Sequence, residues 1–114
     1  MTATQMREQQ TKQATQLIGA QNRLSMVWRQ LNSNGAARAE WMKDQLADVR
    51  RTIAALDMLH WTQAQLDWTG DAVQDIFEAT VMLRHWRVAC DFIEHAEQNL
   101  EWVIRSLAKG EGGL

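Results

Sequence analysis

The chain has no proline, no tyrosine, a single cysteine, and only three glycines before residue 110. Each absence excludes something. With the early glycines scattered singly at 19, 35 and 70, turn punctuators are too few for a sandwich or barrel of many short strands, and long helices remain. A lone Cys90 closes no intramolecular disulfide and fits a reducing compartment. No run approaches the roughly 18 apolar residues of a membrane span. Met1 to Gln10 lacks the apolar centre of a secretory signal. We therefore expect a cytoplasmic protein with no membrane association. Excess charge of one sign is missing too: 12 basic against 14 acidic residues leave a net charge of -2, too little to advertise a nucleic-acid or membrane-surface partner.

What the sequence does have is tryptophan and methionine, six of each, within a chain 46% hydrophobic and 23% charged. That balance belongs to a folded helical protein of one domain. Charge is unevenly spread. Arg7, Lys12, Arg23 and Arg29 face only Glu8 in residues 1–31, whereas acidic side chains outnumber basic ones by eight to four from 69 to 114. The two ends attract each other, or the opposite end of a second copy.

Residues 1–13 contain only Ala3 and Met6 as apolar content after the initiator, which predicts a flexible polar arm ahead of a helical domain over 14–109 and a loose tail over 110–114. Ala14, Gln21 and Trp28, interleaved with Leu17, Leu24 and Leu31, form a heptad seam for the first helix, which ends near 31. Asn32-Ser33-Asn34-Gly35 is a turn. A second helix follows with Met42, Leu46, Val49, Ile53, Leu56, His60 and Gln63 in its seam, running to Trp68. Asp71 and Gln74 read as a capping box opening the third helix.

Over 71–109 the apolar positions change sides. Val73, Ile76, Phe77, Thr80 and Leu83 share one face, whereas Trp86, Ala89, Ile93, Leu100, Val103 and Leu107 lie almost opposite. A helix break at 84–87 would produce this, as would one continuous helix whose second half packs on another chain. With no breaker residue there, the sequence favours the continuous helix. The expected fold is all-α, an antiparallel bundle of three long helices, or four if split near 84–87, and a homodimer; Trp86, Ala89, Ile93, Leu100, Val103 and Leu107 pack either against the second copy or, if the helix splits, as a second face within the bundle.

Catalytic and metal chemistry find little support. Di-metal bundles need Glu-x-x-His on two helices, and that spacing does not occur. Asp91 and His95 supply at most two ligands, and His60 in an apolar seam suits a core histidine. Cys90, between Ala89 and Ile93, reads as a small buried hydrophobe. Phosphate-cradling glycine loops are absent. Arg50-Arg51 and the basic first helix make a modest patch without a helix-turn-helix spacing. We expect no enzyme, no cofactor, no metal and no direct nucleic-acid contact.

The tryptophans are more informative. Trp28 and Trp41 belong to or border the seams. Met58, Trp61 and Trp68 project well away from the seam of the second helix, and Trp102 lies off the second face of the third. Either further helices or a dimer mate cover them, or they form a partner-binding patch, because Trp and Met carry much of the energy at interfaces. In size, helical content and lack of a DNA-reading module the chain resembles small bacterial antiactivators, including those that sequester quorum-sensing LuxR-type regulators. The resemblance implies occlusion of a transcription factor and transfers no site residue. A secretion or assembly chaperone with the same type of groove is the alternative, and a metal-binding bundle a remoter one.

Overall fold

The computed structural model describes residues 1–111. Helix α1 (Ala3–Asn34) opens with a capping box in which the Gln5 amide donates to the Thr2 hydroxyl and the Thr2 amide donates to the Gln5 side chain. Its 32 residues at about 1.5 Å each match the 48 Å long axis of the molecule. Leu17, Leu24, Val27 and Leu31 are fully buried along it. The expectation of a flexible arm over 1–13 is corrected: residues 3–13 are helical, with Met6, Gln10 and Gln13 buried. A polar segment becomes ordered here because its glutamine side chains find partners on other elements.

Helix α2 (Ala39–Ala54) buries Met42, Leu46, Val49 and Ile53, the first four positions of its expected seam. It does not continue to Trp68. Asp57 accepts a hydrogen bond from the Leu59 amide, a local turn that competes with helix propagation. Thr62 and Gln65 then form a reciprocal capping box that starts α3 (Gln63–Val81). Leu56 and His60 therefore leave the seam, and the Thr69-Gly70-Asp71 segment, expected to separate two helices, lies inside α3.

The chain turns again between α3 and α4 (Trp86–Ala108), so the described residues form a bundle of four helices. No glycine or proline is needed for this turn: Met82 (φ -98°) and His85 (φ -100°) both keep negative φ, which any residue can adopt. The His85 amide donates to the Met82 carbonyl, and Leu83 tucks into the core. Reversal lets the second apolar face of 71–109 bury within one molecule, whereas the first is covered only in part: Ile76 and Leu83 are buried, Val73 and Thr80 are half-buried, and Phe77, expected on the same face, is 51% exposed. Ala89, Ile93, Leu100 and Val103 are fully buried and Leu107 is 1% exposed, sealed by α1 and α3 of the same chain. Of the two roles expected for these residues, Ala89, Ile93, Leu100, Val103 and Leu107 take that of a second face packed within the chain, and Trp86 is half-buried beside Gly35.

Each helix packs on its two neighbours in the ring α1-α2-α3-α4. Cross-links such as Trp28 to Glu94, Arg23 to Asp48 and Asn99 to Asp75 show consecutive helices, and α1 with α4, running antiparallel. Helix α4 ends in a Schellman motif, with Glu111 and Gly110 amides donating to Ser106 and Leu107 carbonyls and Gly110 at φ 75°. Gly110 and Glu111, the start of the expected loose tail, are held by these bonds, and residues 112–114 lie outside the described residues.

Candidate functional site

The four side chains expected to form a partner patch separate into two groups. Trp61 is only 8% exposed, and its indole N–H donates to Gln13 Oε1 at 3.0 Å. It plugs the end of the bundle where α2 stops short, so its assignment to an exposed surface is corrected. Met58, in the same connection, is half-buried against the core. Trp68 and Trp102 do meet: α3 and α4 bring their ring centroids to 5.9 Å at an interplanar angle of 48°. Trp68 is half-buried and Trp102 remains 43% exposed.

Helical spacing decides what surrounds this pair. Asp71 and Asp75 follow Trp68 by one and two turns on α3, and Arg105 of α4 and its C-cap Lys109 follow Trp102 at the same spacing. The two helices are antiparallel, so acidic side chains lie to one side of the tryptophans and basic ones to the other. On the basic side the rings edge a shallow depression of about 260 Å³ lined also by Arg105, Ser106, Lys109 and Glu111. Arg105 is bonded to Glu101 at 2.9 Å yet is 68% exposed. On the acidic side, Asn99 donates to Asp75 at 3.4 Å, and burial between the helices pushes the Asp75 carboxyl above its ordinary pKa, opposed by His95.

Beneath the tryptophans lies a buried polar network that the sequence reading missed. Gln65 is fully buried; its amide group donates to Ser106 Oγ and to the Glu111 carbonyl, both at 2.9 Å. Gln10 donates to the same carbonyl, and Ser106 donates to the Glu111 carboxylate. Gln13 joins α1 to the connection by donating to the Asp57 carbonyl and accepting from Trp61. Two signals could have revealed it. Met6, Gln10, Gln13 and Leu17 share one helical stripe, and Thr62-x-x-Gln65 has capping-box spacing. The network fixes the start of α3 to the end of α4, and with them the helical turns that carry Trp68 and Trp102.

Along the α1-α4 seam, Glu94, Glu97 and Glu101 face Trp28, Ser25 and Gln21, which donate to them at 2.9, 3.3 and 3.0 Å. Burial raises the Glu97 pKa, whereas hydrogen bonds from Gln21 and Arg105 lower that of Glu101. These carboxylates clasp two helices. Among the described residues no group of three or more His, Cys, Asp or Glu side chains is placed to hold a metal ion. Cys90 is buried and accepts from Asn32 at 3.3 Å; burial pushes its thiol pKa up, away from a reactive thiolate. No helix is long and apolar enough to cross a membrane among the described residues. Comparison with family models, curated proteins and solved structures finds no match.

Proposed function

We propose that this chain is a non-enzymatic regulatory protein that binds and occludes another protein, in the manner of an antiactivator covering the dimerisation or DNA-binding surface of a transcription factor. The observation that carries the reading is the Trp68–Trp102 pair, a large aromatic surface left partly open although the rest of the core closes on itself. Aromatic anchors of this type dominate binding energy when a partner desolvates them. Arg105 and Lys109 on one side and Asp71 and Asp75 on the other supply the polar rim that orients a partner.

The test is quantitative affinity capture from cells with the wild-type chain and with Trp102→Ala. Because Trp102 is partly exposed, its loss leaves the fold intact by circular dichroism and weakens a bound partner roughly thirtyfold or more, the effect of losing a hot-spot side chain. Capture of the same proteins at the same yield by both chains contradicts the reading. If a captured protein is a DNA-binding regulator, adding the purified chain should abolish its operator binding in a mobility-shift assay, and Trp102→Ala should not.

A further inference from the structure

We infer that the end of the bundle formed by the α1–α2 and α3–α4 connections docks an acidic segment of another protein, one that alternates carboxylates with apolar side chains. This surface is separate from the Trp68–Trp102 face: Arg87 and Trp102 stand fifteen residues apart on α4, roughly 22 Å along the helix.

Antiparallel packing puts both connections at the same end, and Trp86 of the second lies against Gly35 of the first. Three arginines gather there: Arg38, Arg84 and Arg87, all exposed. None of them is in an ion pair among the described residues. Glu40, the one acidic residue in 35–43 and 82–87, is taken by Lys43 at 3.3 Å. Asp44, Glu78 and Asp91 stand four to six residues from these arginines along the chain, and none lies within ion-pair distance of them. The bundle is 20 by 18 Å across its long axis. About six extended residues, at about 3.3 Å each, therefore reach across this end.

What holds two of these guanidinium groups leaves their charge free. Arg38 stacks over the Trp41 ring at 4.8 Å and Arg87 over the Trp86 ring at 5.2 Å. An indole covers the flat face of a guanidinium and leaves open its N–H edge, which grips a carboxylate through two parallel hydrogen bonds. Stability alone does not call for these residues. Arg38 is the N-cap of α2, and Arg84 and Arg87 flank His85, the N-cap of α4; neither cap side chain makes a capping bond, and α4 has no acid in its first turn. Cations at these positions oppose the helix dipole. The starts of α1 and α3, at the opposite end, instead carry Thr-Gln capping boxes. Carboxylates of a partner would offset the repulsion that the free chain tolerates. Val81 and Val88, close to Arg84 and Arg87 in the chain, are exposed, and Trp41 and Trp86 are half-buried. That apolar surface selects a peptide with apolar side chains between its acids, since a nucleic-acid backbone offers the valines nothing apolar.

Fluorescence anisotropy with the full chain tests this, using a labelled peptide of four Glu-Glu-Leu repeats, its Gln-Gln-Leu counterpart and a single-stranded DNA of similar length. At 50 mM salt the acidic peptide should bind at least about tenfold more tightly than either of the others, and raising salt to 500 mM should weaken it about tenfold. Arg38→Glu combined with Arg87→Glu should weaken the acidic peptide about tenfold or more. The Tm of this double variant should be no lower than that of the wild type, because the new carboxylates suit helix N-termini. Arg84→Glu, at a side chain stacked on no ring, should weaken the peptide at least about threefold with unchanged helicity, and Trp102→Ala should bind it as the wild type does. Failure to bind the acidic peptide at millimolar concentration overturns the inference, as does equal affinity for the neutral peptide or tighter binding of DNA. So do arginine variants that bind unchanged, a double variant with a lowered Tm, or a loss of peptide binding in Trp102→Ala, which would move the peptide to the other face.

Discussion

Gln65 shows how a single polar side chain can organise an end of the bundle. It caps its own helix through Thr62, and it holds Ser106 and the Glu111 carbonyl while fully buried. Gln65→Ala strands several of these groups at once and should cost about 2–4 kcal/mol in chemical denaturation; a loss under about 0.5 kcal/mol contradicts the network's structural role. Glu97 works in the opposite direction. Its folded pKa is raised by burial, so the folded state prefers the protonated acid, and ionisation above that pKa is destabilising. The sign follows: stability attributable to this group falls as pH rises from its ordinary value of 4.5 through the raised folded value. Glu97→Gln retains an acceptor for Ser25 and should raise Tm by a few degrees at pH 7, with the gain disappearing near pH 4. A gain that persists unchanged at pH 4 contradicts this cause. At Gly110, φ is 75° and an added Cβ would meet the Arg7 guanidinium at 2.8 Å, so Gly110→Ala should destabilise by about 1 kcal/mol in the same denaturation assay.

At the scale of elements, apolar periodicity identified the cores of α1, α2 and α4; in α3 it pointed to Val73, Phe77 and Thr80 where Thr69, Ala72 and Ala79 are the buried positions, and it misjudged where helices stop. The rows Leu17, Leu24, Leu31 and Met42, Leu46, Val49, Ile53 are buried as their spacing requires. Periodicity also persists through residues 56–63, where tertiary contacts override it: Trp61 turns inward to Gln13, and the Asp57 turn and the Thr62 cap make local bonds that a continuous helix would forfeit. The opposed faces of 71–109 were legible, yet their resolution was not, because a reversal at ordinary negative φ leaves no glycine or proline to mark it. The candidate site was half legible. Wheel positions placed Trp68 and Trp102 outside the seams, but only the packing of α3 on α4 joins them and withdraws Trp61. The 55–62 connection, with Leu59 79% exposed, should be the first point of cleavage in limited proteolysis, giving two fragments that meet near residue 59. Initial cleavage inside α1 or α4 contradicts this ordering of local stability.

For the whole molecule, the bundle closes its own core and leaves single apolar side chains exposed on several faces, among them Ile18 and Met26 on α1, Phe77 and Val81 on α3 and Val88 on α4, whereas Trp68 and Trp102 are in contact as a pair. The carboxylates of α4 that face α1 are held by its neutral donors Gln21, Ser25 and Trp28, while Arg23 of α1 pairs with Asp48 on α2. The Trp68–Trp102 face is different, with exposed rings between charges of both signs. Occlusion of a partner requires a protein on that face in the cell. Its most direct test is a photo-crosslinking phenylalanine analogue at Trp102, compared with one at exposed Asn22 on α1. A discrete crosslinked protein species is expected from position 102 and none from position 22; equal yields, or no crosslink from position 102, would overturn binding at this face.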